Sequence, residues 1–465
     1  MKLKLKCFQR FLLLIMLLVA AACKKEPAEI AMPPDHEEVS EEVNISFPDK
    51  IFDHTIIRSN LRNLNSIADI PEELQLGGRE TLSPEGLALA ASSVLRMKNP
   101  SALDRSEVII DVVFHPLVSY KNLDTQKEVS LSEIKAKSIP FTATMQEVTT
   151  FTGKSLMSIA GTVFGFKVTN KGVDLELYRL TTGTSSSSID ESELTTTAHV
   201  SLEAFFGEVK ENYWRKFNLR FTITKDANLN HLKVENLQTG AVISCFGKSK
   251  NQSNGCQWGY GFIRCEKSNI IKVQQLIYRS LDHLSPKVLF LGHSFIEGNS
   301  LAATPEGFDA RYAAIIKALL NGNAVIAGMG GANTSNLLSR LKMDLEPFSP
   351  KYVVIDCIAN ENSSAIWHTN MLAIIKKIRD KNAIPILVTG SPRLGYEPVI
   401  TAANNLIRNS LEQQYVDLND LVSENKSSAI WKPHYGMADG VHPTVMAHKE
   451  IALQFQKDIP GLFMD

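Results

Sequence analysis

The chain has 465 residues, 44% of them hydrophobic and 21% charged, with a net charge of −1. That is enough apolar material for two or three globular domains. The near-neutral balance excludes the basic face by which nucleic-acid binders hold phosphates, so no nucleic-acid partner is expected.

Residues 1–22 read as a signal peptide. Lys2, Lys4, Lys6 and Arg10 form a basic head, Phe11 to Val19 is an apolar run too short to span a bilayer comfortably, and Ala20-Ala21-Ala22-Cys23 follows. Small residues before a cysteine resemble a bacterial lipoprotein signal. The resemblance implies cleavage before Cys23, lipidation of Cys23, and a lipid-anchored place in the bacterial cell envelope, at the outer membrane or cell surface. Each buried methylene of an acyl chain contributes about 0.8 kcal/mol of membrane affinity, so two or three chains anchor firmly. Residues 23–49, rich in Glu and Pro, read as a flexible tether.

Residues 50–284 read as a β-rich, sandwich-like domain. Phe217 to Thr224 and Val173 to Leu177 alternate apolar and polar residues, as half-buried strands do. Val108 to Phe114, Thr162 to Val168, His231 to Leu237 and Ile270 to Ile277 are further expected strands. A helix is expected over Pro84 to Met97, because Pro84 and Glu85 suit a helix start. Gly183 to Ser188 reads as a loop of small residues. Trp214 and Trp258 have the rings to stack on sugars, or to fill a core. Cys245, Cys256 and Cys265 crowd one segment, so one disulfide among them is expected with its pairing open. They lack the spacing of a zinc site, and Cys357, in an apolar strand, reads as a buried thiol.

From residue 285 to 465 the texture becomes α/β. Strands are expected at Lys287 to Leu291, Ala324 to Ala327, Tyr352 to Ile358, Ile384 to Thr389 and Tyr415 to Asp417. Helices are expected at Pro305 to Leu320, Ser335 to Leu345, His368 to Lys381, Val399 to Gln413 and Thr444 to Gln456. That alternation implies a parallel sheet wrapped by helices. The strand ends carry the chemistry, as in open parallel sheets generally. Ser294, in Gly292-His293-Ser294, stands just past the first strand and is a candidate nucleophile if a base reaches it. Gly328-Met329-Gly330-Gly331 follows the second strand, where outward N–H groups suit an oxyanion, a phosphate or simply a tight turn. Asn360, after the third strand, carries an amide able to donate to an oxyanion. In Asp439-Gly440-Val441-His442-Pro443, Asp439 and His442 have the spacing of a carboxylate–imidazole pair, with Pro443 opening the last helix.

These four blocks, in this order over about residues 286–460, resemble the SGNH (GDSL-type) hydrolase family. The resemblance implies a flavodoxin-like parallel-sheet domain and a serine esterase. It assigns Ser294 as nucleophile, His442 as general base and Asp439 as the group orienting it. It also implies an oxyanion hole from the N–H of Ser294, the N–H of Gly331 and the side chain of Asn360, and a mechanism without metal or cofactor. Two of the blocks depart from the family pattern. His293 stands where Asp is usual, and is expected to fill a local hydrogen bond. Ile358 and Glu361 replace the Gly and the second Asp of the Asn block, which leaves Asn360 and Asn362 both open as donor. His368, His434 and His448 lack an acidic partner at the needed spacing and read as solvated or structural. Trp431 and Tyr435 are placed to line the site, and Arg393 to touch an anionic substrate. The whole reads as an exported esterase acting on acylated, above all O-acetylated, carbohydrates. A lipid or aryl-ester esterase and a non-catalytic glycan-binding lipoprotein are the alternatives.

Overall fold

The computed structural model of the protein describes residues 54–464 apart from 77–79, 90–92, 100, 115–138, 146–150, 153–154, 157–160, 169–171, 181–193, 208–216, 228, 249–260, 266–270, 302–303, 305–306 and 426–428. The expected signal peptide, the lipidation at Cys23, the tether over 23–49, the 183–188 loop, Trp214, Trp258 and Cys256 lie outside the described residues.

Up to Ser280 the strands are antiparallel and form two main sheets of eight and seven strands. One is centred on Phe217–Asp226, Arg105–Phe114 and Ile271–Ser280; the other on Val173–Leu180, Gly161–Val168 and Ile139–Met145. Alternation does what it predicts: Phe217, Leu219, Phe221 and Ile223 are buried, with Asn218, Arg220 and Thr222 between them less so. The inward faces meet through aromatic rings. Phe166 of one sheet lies edge-on to Phe114 and Phe221 of the other, at centroid separations of 5.5 and 5.4 Å.

The helix expected over Pro84 to Met97 is not there. Thr81–Ser83 and Gly86–Ala88 form a tight hairpin instead, and Ser93–Met97 is a strand of the other sheet. Proline suits the first central position of a two-residue turn as well as a helix start, so Pro84-Glu85 was an ambiguous cue. Gly86 decides it. Its φ is +139°, and a Cβ there would lie 2.3 Å from the carbonyl oxygen of Val273, so a glycine lets the hairpin pair with its neighbour.

After Val288 a five-stranded parallel sheet takes over, flanked by helices. Its spatial order is Ala324–Gly328, Val288–Gly292, Tyr352–Asp356, Ile384–Val388, Gln414–Val416. The first strand in sequence is thus second in space, and the chain reverses direction across the sheet beside it. Gly292 sits level with Gly328 on one side and Asp356 on the other. The segments following those three residues therefore leave the sheet side by side, at the crevice where such folds bind ligands. Helices Thr334–Asp344, Ser364–Asp380, Glu397–Asn409 and Val445–Asp458 run close to their expected spans. The segment expected as one helix over 305–320 is a 3-10 turn at Gly307–Ala310 and a helix from Tyr312 to Leu319. A short helix at Leu418–Val422 was not foreseen. Residues 51–465 form one compact unit, and a single cluster of buried apolar side chains, including Leu103, Leu289 and Val325, runs from the antiparallel sheets into the α/β layer.

Candidate active site

Ser294 is the first residue of a four-residue helix, Ser294–Glu297, that follows the strand directly. Two glycines make room for so abrupt a turn. A Cβ on Gly292 would lie 2.2 Å from the carbonyl oxygen of Asp356, and one on Gly328 would lie 2.3 Å from the backbone nitrogen of Glu297. The short helix therefore packs backbone to backbone on the neighbouring strand end. Ser294 itself is 8% exposed.

The other two predicted residues arrive from 145 residues downstream. Asp439 holds its own turn together: one carboxylate oxygen accepts the N–H groups of Val441 (2.9 Å) and His442 (3.0 Å), with Gly440 at φ +68° between. The other oxygen lies 2.6 Å from His442 Nδ1. His442 Nε2 lies 2.9 Å from Ser294 Oγ. Hydroxyl, imidazole and carboxylate thus stand in line. Partial burial pushes the Asp439 carboxyl up, but the two N–H donors and the imidazole outweigh it and hold its pKa below the usual range. Trp431 braces the loop by donating its indole N–H to the carbonyl of Gly440 (3.1 Å). Its ring packs toward Phe295, whose own ring meets His442 edge-on. Tyr435 is half-buried on the same loop.

Two of the expected oxyanion donors, Gly331 and Asn360, lie on segments that are tied together. Gly331, at φ +71°, sits third in a turn closed by the N–H of Ala332 on the carbonyl of Met329 (3.1 Å), a position glycine fills without strain. Asn360 donates one amide hydrogen to the carbonyl of Ala332 (3.1 Å), so the Asn block and the glycine turn are tied together; the second amide hydrogen remains. Asn362 is exposed, and Asn360 is the asparagine bonded to the glycine turn. Arg393 fixes its orientation: Nη1 donates to Asn360 Oδ1 (2.7 Å) and to the carbonyl of Ala359, while the guanidinium lies over Tyr396, 4.1 Å from the ring centroid. Arg393 is thus engaged in holding the Asn block.

His293 and Glu361, two of the residues that depart from the family pattern, have local accounts. His293 is the N-cap of the nucleophile helix: its Nδ1 accepts the N–H of Phe295 (3.3 Å), which puts the neutral ring's proton on Nε2, 3.2 Å from Asp356 Oδ1. Asp356, 1% exposed, also accepts the hydroxyl of Tyr312 (2.8 Å). Burial, and then that carboxylate, holds the Tyr312 hydroxyl protonated far above its ordinary pKa. An acid already occupies the buried position beside residue 293, and a histidine is what pairs with it. Glu361, 2% exposed, accepts the backbone N–H and hydroxyl of Thr334 at the start of helix Thr334–Asp344, where a carboxylate also faces the positive end of the helix.

Sequence reasoning missed Asp356, although an acid in the apolar run Tyr352 to Ile358 was a signal. It missed Arg340 and Asp344 as well, whose four-residue spacing on one helix was a weaker one. His448 is fully buried, with Nδ1 accepting the N–H of Tyr312 (3.2 Å); His434 is exposed. Cys245 and Cys357 are buried free thiols, and burial pushes the Cys245 thiol up to about 12. Cys245 is therefore removed from the expected disulfide. Among the described residues no group of three side chains is arranged to hold a metal.

Residues 290–449 match the family model described as GDSL-like lipase/acylhydrolase. The chain carries a GDSL-like acylhydrolase domain. No curated protein matches it. Among solved structures it is similar to a lipolytic protein of the G-D-S-L family from Desulfitobacterium hafniense, at 15% identity and a TM-score of 0.33, over 38% of this chain and all of that one. An acylhydrolase from Bacteroides fragilis is similar at 20% identity and 0.31, over 39% and 88%. An acetylxylan esterase from Geobacillus stearothermophilus is similar at 19% and 0.31, over 38% and 94%. The acylhydrolase domain supports assignment of the protein as a carboxylic ester hydrolase.

Proposed function

We propose that this protein is an exported, lipid-anchored serine esterase that removes O-acetyl groups from carbohydrates. The observation that carries the catalytic part is the unbroken line from Ser294 Oγ through His442 to Asp439, at 2.9 and 2.6 Å. Ser294 attacks the ester carbonyl as its proton passes to His442 Nε2. The N–H groups of Ser294 and Gly331 and the amide of Asn360 receive the developing oxyanion. Asp439 stabilises the imidazolium. The protonated His442 then gives its proton to the departing alcohol, leaving an acyl-enzyme. Water, deprotonated by His442, attacks that ester and releases the carboxylic acid with Ser294 restored.

The setting supports the choice of substrate. A lipoprotein-like leader favours the cell envelope, where acylated polysaccharides are encountered, and the partly exposed rings of Trp431 and Tyr435, on the loop that carries His442, are of the kind on which a sugar ring stacks. A second reading, an esterase of lipid or aryl esters, draws on Leu394, 82% exposed in the loop that carries Arg393. Acetate release from acetylated xylan, set against a p-nitrophenyl ester series of rising chain length, separates the two. Release from xylan, with activity falling as the chain grows, supports the carbohydrate reading; cleavage confined to long chains overturns it. Incorporation of labelled palmitate that Cys23→Ser abolishes tests the anchor.

A further inference from the structure

From the antiparallel half the short stretch Ser101 to Asp104 reaches into the α/β layer and directs the side chains of Ser101 and Asp104 and the N–H groups of Ala102 and Asp104 into it, while the carbonyls of Leu103 and Asp104 accept Lys225 Nζ (3.1 Å) and the N–H of Ala227 (3.0 Å) within its own half. Leu103 bridges Ala327, and the N–H of Asp104 donates to the carbonyl of Ile326 (2.8 Å). The stretch thereby covers the strand Ala324–Gly328 on the edge of the parallel sheet, which otherwise presents open backbone groups. Ala102 packs with Met329 and Ala332, the two ends of the glycine turn. Ser101 donates to the Asp344 carboxylate (2.7 Å), which also accepts the N–H of Ala102. Asp344 holds Arg340, and Arg340, fully buried, donates to the carbonyls of Gly292 (2.7 Å) and Ala327 (3.0 Å). Those carbonyls belong to the strand ends that launch the nucleophile helix and the glycine turn. Asp104 pairs with Arg311, and Arg311 donates to the carbonyl of Glu297 (2.6 Å), the last residue of the nucleophile helix. Arg311 comes so close that a Cβ on Gly298 would lie 2.7 Å from its Cδ.

We infer that Ser101 and Asp104, in the β-rich half, are positioning residues of the esterase site: through Asp344–Arg340 and through Arg311 they fix the glycine turn and the Ser294–Glu297 helix. This rests on the esterase reading above. Ordinary packing between two layers needs apolar contact. Here two buried carboxylates instead hold two buried guanidiniums, which donate to backbone carbonyls of Gly292, Ala327 and Glu297 around Ser294 and ahead of the glycine turn. Isolated buried charges are costly, and directed pairing is what makes them tolerable. The Asp104 carboxyl, pushed up by burial, is pulled below its ordinary pKa chiefly by Arg311, so the pair stays ionised. The α/β half is accordingly incomplete as a catalyst without this stretch.

The test uses the full-length protein with Ser101→Ala and Asp104→Asn. Each sample is titrated with a fluorophosphonate to count competent Ser294, and kcat and KM for p-nitrophenyl acetate are expressed per titrated site. The expected result is a fall of about 10- to 100-fold in kcat with KM unchanged, as a displacement of order an ångström produces. Hydrogen exchange is the second readout, and it does not depend on turnover. Amides of 328–332 exchange faster in Ser101→Ala and those of 294–298 faster in Asp104→Asn, with 384–388 unchanged. Should Asp104→Asn not fold, Ser101→Ala decides alone. Wild-type kcat per titrated site and wild-type exchange at these segments overturn the inference, whatever the melting temperature does. If wild type and Ser294→Ala turn over ester equally, the esterase reading itself fails, and unaltered exchange then overturns the coupling as well.

Discussion

Replacing His293 by the aspartate usual in the family should damage this protein. The Asp356 carboxylate is 1% exposed and lies 3.2 Å from His293 Nε2. His293→Asp keeps an N-cap acceptor for the N–H of Phe295, so the short helix stays capped. What changes is that two buried carboxylates now face each other. At a separation of about 5 Å and an effective dielectric constant of about 20 their repulsion is about 3 kcal/mol. Loss of the imidazole donor adds about 1–3 kcal/mol. His293→Asn keeps the cap and carries no charge, so it isolates the repulsion. The penalty depends on pH with a definite sign. Repulsion raises the carboxyl pKa in the folded state, so the stability lost at high pH returns as pH falls. The difference between the two variants, about 3 kcal/mol at pH 8, should shrink to about half by pH 5. Urea unfolding of both variants at the two pH values measures it. Equal stability at pH 8 would refute the assignment of Asp356 as the reason histidine stands at 293.

Three further outcomes are expected. Asn360→Ala should lower kcat by about 10²–10³ with a smaller effect on KM, by removing one oxyanion donor; an unchanged kcat in a steady-state ester assay would remove Asn360 from the hole. Gly328→Ala forces a Cβ to within 2.3 Å of the Glu297 backbone nitrogen, so Ser294 should lose most of its labelling rate with a fluorophosphonate; wild-type labelling would show that the helix yields at no consequence. His448 is held neutral by burial first, then by His442 and Arg311, its pKa lowered from 6.5 to about 3. The unfolded chain takes up a proton that the folded one refuses, so stability is lost as pH falls from 6.5 toward 3, by about 2 kcal/mol between pH 6.5 and 5. His448→Asn, which keeps an acceptor for Tyr312, should flatten that slope in urea titrations, and an identical slope would contradict it.

The α/β half was legible because its signals are local. Each strand is a short apolar run closed by Gly, Asp or Thr, three of the motifs follow where such a run stops, and the resemblance that these and the Asp439–His442 block carry is what named Ser294, Gly331, Asn360, Asp439 and His442 before their distances were known. The span of the last helix was readable for the same reason, with Pro443 and Thr444 at its start. What failed was context. Pro84-Glu85 signals a helix start or a hairpin turn equally, and only the closeness of Val273 to Gly86, 187 residues apart, makes it a turn. The roles of His293 and Glu361 could not be read, because each is set by a partner on another element, Asp356 and Thr334. The stretch from Ser101 to Asp104 carries no motif at all. Its importance comes from the edge strand it covers and the two arginines it reaches, neither of which leaves a mark in neighbouring sequence.

The central claim is that Ser294 carries the acyl group. Wild type and Ser294→Ala are mixed with p-nitrophenyl acetate, turnover is followed, and the protein is quenched in acid, its mass measured, and the acetylated peptide located after digestion. The account predicts turnover and a single added acetyl group on the peptide bearing Ser294 in wild type, and neither in Ser294→Ala. Equal turnover in the two proteins, or acetyl on a peptide that does not contain Ser294, would contradict it.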